Sequence, residues 1–250
     1  MGDKVRRKKG MKCFFGVVVG EFWGLVRLNL LFCACVLPSS AVFLSGLFGF
    51  YSEIALFSSL LAAFPVGGAA CAYVFCITKM LRYEPGYIWY DFRRKFRENV
   101  SQAAVPGILC TAFIYAQVYL WGPHLFGGAG IDAVWLIPGG IFLLIFGMVA
   151  PYFFLQIAYI DLKTKQIIIN SVLISFASTP RSFMGAFMGG VIWVAFFVLL
   201  PESLVVAPLF LLFGFSLSWL LNLMWIWPAV NSQFKIEETL RRAGEGRVES

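Results

Sequence analysis

The chain has 250 residues, of which 60% are hydrophobic and only 13% charged, and its mean hydropathy is +0.82. A soluble domain carries roughly 25% charged residues, so this composition excludes an ordinary water-soluble fold and predicts an all-α, polytopic membrane helix bundle. The formal net charge of +7 belongs to particular loops, and no basic segment has a soluble scaffold that would present it to nucleic acid.

Met1 to Lys12 carries six basic residues and one acid. A basic start ahead of an apolar run has two readings, a cytoplasmic flank or a secretory leader cleaved near Ser39-Ser40-Ala41. Glu21, Arg27 and Asn29 interrupt the run, and membrane character continues far beyond it, which favours the flank. Gly2 makes no myristoylation signal, because Arg6 stands where Ser or Thr is required. Residues 1–21 are therefore read as a basic cytoplasmic N-terminus.

Six apolar runs follow, each long enough to cross about 30 Å of hydrocarbon. The first spans Phe22 to Leu47 and contains Pro38, with Arg27 snorkelling to the headgroups and Asn29 bonding another helix or a carbonyl. A turn with Glu53 leads to the second span, Ile54 to Lys79, which breaks near Pro65-Val66-Gly67-Gly68. Residues 39–64 have three readings: a membrane hairpin, a re-entrant segment or an external helix. The small residues Gly67, Gly68, Ala69, Ala70 and Ala72 favour close helix packing; kinked small-residue segments also build transporter sites.

Residues 78–105 are polar, basic and aromatic. Tyr87, Trp89 and Tyr90 suit the water interface. Asp91 is a fair N-cap, and Phe92, Phe96 and Val100 fall at i, i+4 and i+8, with Arg93, Arg94, Lys95 and Arg97 on the other faces. That pattern predicts a short amphipathic surface helix over 91–102. It has two readings: a positive-inside loop attracted to anionic membrane lipid, or a helix on which a partner protein docks. Asp91, Phe92, Arg93, Arg94, Phe96, Arg97 and Asn99 are its candidate contact residues.

The third span runs from Ala104 to Trp121 with Gln117 inside, and the fourth from Val134 to Ile160 with Pro138, Pro151 and Gln156. The Gly122–Asp132 turn between them follows no strand and is not a nucleotide loop. Residues 161–182 are a second cytoplasmic segment, read as a surface helix leading into Thr179-Pro180-Arg181. The fifth span, Phe183 to Leu200, has a Gly185/Gly189 GxxxG spacing, and the sixth, Val205 to Val230, contains Asn222. Residues 231–250 are a polar tail, helical at first. The 22–230 bundle and its flanks form one membrane domain.

The basic residues fix the orientation. The termini, 78–105, 161–182 and Arg27 hold all 20 Lys and Arg, whereas the external turns hold only Glu53, Asp132 and Glu202. The positive-inside rule then puts both termini in the cytoplasm. Chemistry-bearing motifs are missing: there is no HExxH, GxSxG or P-loop, and the spans contain no pair of acids for an ion relay. The six cysteines read as small packing residues, and His124 alone gives zinc no ligand set. No enzyme activity, cofactor or metal is expected. Asn29, Gln117, Gln156 and Asn222 form a neutral polar set with two readings, helix-to-helix fasteners or the lining of a pathway for a neutral solute.

RLNLLFCACVLP, followed by FPVGGAACAYVFCITKMLRYEPGYIWYDFRRKFRENVSQA, resembles the YesL family of bacterial integral membrane proteins. Asn29, Pro38, Pro65, Gly67, Ala72, Tyr73, Asp91, Phe92, Phe96 and Asn99 sit at the matching positions. DLKTKQIIINSVLISFASTPRSF and WPAVNSQF are similar to the family's second internal segment and closing motif. The chain departs in Ser39–Phe64, an extra stretch after the LP break. The resemblance implies a bacterial cell membrane location and association with carbohydrate ABC importers, with permease subunits as partners and a sugar as the solute. It carries no catalytic residue over. The expectation is an accessory subunit docking through the amphipathic segments; the alternative is a stand-alone transporter or channel for a small neutral solute.

Overall fold

The computed structural model describes residues 11–47, 52–84, 86–125, 133–160, 162–199, 203 and 205–240, with the side chains of 123–125 and 133 outside that description. The external acids Asp132 and Glu202, the His124 side chain, Pro85, Asp161 and the end of the tail lie outside the described residues. The α-helices among them are α1 (Met11–Gly20), α2 (Phe22–Leu47), α3 (Ser52–Ala62), α4 (Phe64–Leu81), α5 (Ile88–Leu125), α6 (Leu136–Tyr159), α7 (Thr164–Ala177), α8 (Thr179–Leu199) and α9 (Val206–Phe234), and residues 236–240 are helical as well. A 3-10 turn, Ala133–Trp135, precedes α6. The described residues contain no strand. Six helical stretches are long and apolar enough to cross a membrane, with α3 and α4 together forming the second. The fold is thus an all-α polytopic bundle.

Burial is unevenly distributed along the spans. In α4, Gly67 to Thr78 is buried on every face, as is Pro151 to Ala158 in α6 and most of Leu220 to Val230 in α9. The other ends are open: Ile137, Ile141 and Phe142 of α6, Val194 and Val198 of α8, and Leu209 and Leu211 of α9 are exposed. The core therefore sits at the basic end of the bundle, where α1 and the first half of α5 add to the packing. Apolar side chains left open at the far end suit hydrocarbon.

One of the three readings left open for residues 39–64 is matched, and three expectations change. The described parts of 39–64 are helical and pack side by side: α2 continues through Pro38 to Leu47, and α3 lies beside it, with the Ser39 hydroxyl donating to the Ser59 carbonyl at 2.8 Å. The break in the second span lies at Ala63, and Pro65 occupies the first turn of α4, where its missing N–H costs nothing. The N-terminal flank contains α1, whose Cys13 and Val17 are buried in the core.

The last change concerns 91–102. This segment is not a separate surface helix but the first part of the 38-residue α5, and Asp91 lies in its first turn instead of capping it. Its apolar face is turned inward. Phe92 belongs to the core and Phe96 packs against it. Small residues allow this: a Cβ on Gly68 would stand 2.9 Å from the Val100 Cα, and one on Gly67 would overlap the Ala103 carbonyl. Gly67 and Gly107 meet backbone to backbone, so α4 and α5 run against each other along their length.

α7 is inverted relative to a soluble surface helix. Its polar side faces inward: the Gln156 amide donates to the Ser171 hydroxyl at 2.9 Å, and the Ser175 hydroxyl donates to the Met148 carbonyl at 3.2 Å. Ile168, Ile169, Val172, Leu173 and Phe176 are exposed. An outward apolar stripe fits an environment of hydrocarbon, with Lys163, Lys165 and Arg181 at its two ends.

Candidate functional site

The candidate contact residues of α5 divide into two sets. Asp91 is buried and ion-paired to Lys79 at 2.7 Å, with Arg94 at 3.6 Å. Phe92 and Phe96 pack inward, and the Asn99 amide donates back to the Lys95 carbonyl at 2.8 Å. Asp91, Phe92 and Phe96 hold the helix in place, whereas the Asn99 bond lies within α5 itself. Arg93, Arg94 and Arg97 are exposed and lie on the outer side of the same turns. Arg94 stacks over Tyr90 at 5.7 Å and approaches Glu98 at 3.9 Å. The result is a row of outward guanidinium groups on an anchored helix.

The neutral polar set does not come together. Asn29 is fully buried and ties three helices. Its amide donates to the Leu211 carbonyl of α9 at 2.6 Å, and its Oδ1 accepts from the Ser216 N–H at 2.8 Å and the Tyr73 hydroxyl of α4 at 3.3 Å. Ser216 and Tyr73 hydroxyls lie 2.8 Å apart, and Ser216 also donates to the Leu25 carbonyl at 2.8 Å. Gln117 accepts from its neighbour Trp121 at 3.2 Å near the open end. Gln156 bonds α7. Asn222 packs against Gly185 and Gly189 of α8. The Oε1 of Gln156 and the Oδ1 of Asn222 are buried without a hydrogen-bond partner.

A second cluster centres on Arg82, which the sequence reading passed over. α4 ends in a Schellman motif: the Tyr83 N–H reaches the Met80 carbonyl at 2.9 Å and the Glu84 N–H the Lys79 carbonyl at 3.2 Å. Tyr83 takes the left-handed position, φ 57°, which usually falls to glycine. This turn brings Glu84 back onto Arg82. Both carboxylate oxygens accept guanidinium bonds at 2.8 Å, and the Tyr159 hydroxyl accepts a third at 2.9 Å.

The Trp227 ring lies 5.0 Å from the same guanidinium. Only 2% of the Arg82 side chain is exposed. Burial pushes its pKa down, but Glu84 and the Tyr159 hydroxyl more than offset that and hold it above its ordinary value. Arg82 thus joins the ends of α4, α6 and α9. It also forms one wall of an open cleft of about 800 Å³, shared with Lys79, Asn231 and Lys235.

Ser216 and Tyr159 carried no sequence signal, since a hydroxyl within an apolar run is ordinary, and Tyr73 and Trp227 stood out only within the stretches that resemble the family. Arg82 did carry one, a single Arg at the end of a span beside an acid two residues on. Among the described residues no group of three His, Cys, Asp or Glu side chains could hold a metal ion. No family model, curated protein or solved structure matches the chain.

Proposed function

We propose that the chain is a non-catalytic accessory subunit of a bacterial carbohydrate ABC importer, lying in the cell membrane with both termini in the cytoplasm. On this reading it holds a permease subunit through the basic face of α5. The observation that carries the proposal is the division of that helix: Phe92, Phe96 and Asp91 anchor it, and Arg93, Arg94 and Arg97 remain outward. A row of guanidinium groups on an anchored helix suits a partner's acidic surface, because the backbone that presents them needs no further ordering on binding. The likeness to the YesL family supplies the sugar-import context. The engagement of Asn29 in joining α2, α4 and α9 favours a packed scaffold over a solute path.

Purification from the native host in mild detergent, with mass spectrometry of what stays bound, tests this. Importer subunits should co-purify in fixed ratio with the wild type. Replacing Arg93, Arg94 and Arg97 with Glu should release them and leave the protein inserted and helical. Retention unchanged by that substitution overturns docking through α5. One observation favours the second reading, a stand-alone carrier of a small neutral solute: the unpartnered acceptors of Gln156 and Asn222. Sugar flux into liposomes containing only this chain would establish that reading.

A further inference from the structure

We propose that the groove between the α1–α2 junction and the start of α5 is a site for one zwitterionic phospholipid, its phosphate on Arg27 and its ammonium on Glu21. The groove measures about 630 Å³ and is walled by Glu21, Phe22, Trp23, Arg27, Tyr87 and Trp89, with Leu30 and Leu31 at its apolar end. It lies where the basic ends of three spans meet, since Gly24 abuts both Ile88 of α5 and Met80 of α4.

Three observations specify the occupant. The first is depth. Trp23, Tyr87 and Trp89 are 70%, 85% and 64% exposed, and large amphipathic rings settle at the headgroup level of a bilayer. The second is charge. Glu21 and Arg27 face one groove, and among the described residues neither is ion-paired. The Glu21 carboxylate folds over Gly24, with Oε2 3.1 Å from where a Cβ would stand, so the absent side chain is what lets it line the wall.

A purely anionic ligand meets Glu21 and a purely cationic one meets Arg27. A molecule with a phosphate and an ammonium a few bonds apart satisfies both. The third is the apolar continuation along Leu30, 49% exposed, and Leu31. A small soluble zwitterion leaves that stretch uncovered, whereas an acyl chain fills it.

The test uses the full chain in nanodiscs of equimolar phosphatidylethanolamine and phosphatidylglycerol with matched acyl chains, released into native mass spectrometry. The wild type should retain one lipid, with phosphatidylethanolamine enriched about fivefold over the bulk ratio, the size expected of one pair of unit charges near 4 Å in water. Glu21→Gln should keep a retained lipid and lose the enrichment. Arg27→Gln should lose the retained lipid, and Arg27→Lys should keep it. Arg93→Gln, on the exposed face of α5, should change neither. Glu21 and Arg27 are both exposed, and circular dichroism checks that each variant stays helical. Enrichment of phosphatidylglycerol in the wild type, absence of any retained lipid, or the same preference in Glu21→Gln as in the wild type overturns the assignment.

Discussion

The contact between α4 and α5 makes a graded prediction. A Cβ on Gly67 would stand 2.7 Å from the Ala103 carbonyl carbon and 3.0 Å from the Gly107 Cα. Ordinary contact begins at 3.4 Å, the obstacle is backbone, and the Ala103 carbonyl oxygen is nearer still, so about 0.7 Å is a lower bound on how far the helices must part. A gap of that size forfeits roughly a quarter to a half of each dispersion well. Over a patch making about 50 atomic contacts worth ~0.15 kcal/mol each, the loss is about 2–4 kcal/mol. Replacing glycine within a helix returns up to about 1 kcal/mol, leaving a net cost of about 1–3 kcal/mol for Gly67→Ala.

Gly68→Ala meets Val100 atoms at 2.9 and 3.0 Å and should cost less, because the Val100 side chain can give. Gly190→Ala meets nothing within 4 Å and should be neutral or stabilising. Equilibrium unfolding in mixed micelles, followed by tryptophan fluorescence, ranks the three. Equal stability of Gly67→Ala and Gly190→Ala would refute the backbone-to-backbone contact.

Asn29→Leu should destabilise the bundle by about 2 kcal/mol, from three interhelical bonds worth roughly 0.6 kcal/mol each in membranes; the same unfolding assay checks it, and Asn29→Asp should not restore the loss, since it removes the donor to Leu211. Gln156→Leu should cost about 1 kcal/mol, because it strands the buried Ser171 hydroxyl while removing an unpartnered buried oxygen. A cost above 2 kcal/mol would show that this oxygen has a partner, such as water or solute.

The six spans and the grouping of basic residues were legible because run length and charge are local properties. The course of α5 was not. Hydropathy changes at Ala104, and the polar part reads as a surface helix, but a helix does not end where its solvent changes. What decides its course is the pairing of Gly67 and Gly68 with Val100, Ala103 and Gly107, a match between positions 30 to 40 residues apart. α7 was legible as a helix, but not which of its faces turns inward. Ser171 and Ser175, four apart, mark a face that a soluble protein turns outward; here they bond α6, and the isoleucines face out. Asn29 was recognised as a helix fastener, whereas its partners in α4 and α9 depended on a fold that no local pattern encodes.

Arg82 and Glu84 give a last prediction, in which the less connected residue matters more. Arg82 makes every contact in its cluster, yet removing it leaves behind only Glu84, whose side chain is 42% exposed and can turn to water. Arg82→Met puts an apolar chain of similar length between Tyr159 and Trp227, and replacing a buried ion pair by apolar groups is often nearly neutral. Glu84→Ala does the reverse. It strands a guanidinium, 2% exposed, with one hydroxyl and two ring faces to answer its charge. Removing one partner of a buried pair costs about 3–5 kcal/mol; the Tyr159 bond and the rings reduce that to about 2–3 kcal/mol. Arg82→Met should cost about 1 kcal/mol or less, and the double substitution no more than Arg82→Met alone. Thermal unfolding of the four proteins in one detergent closes this cycle. If Arg82→Met proves the most damaging single change, the guanidinium stabilises the ends of α4, α6 and α9 by more than its burial costs, and the asymmetry argued from exposure is wrong.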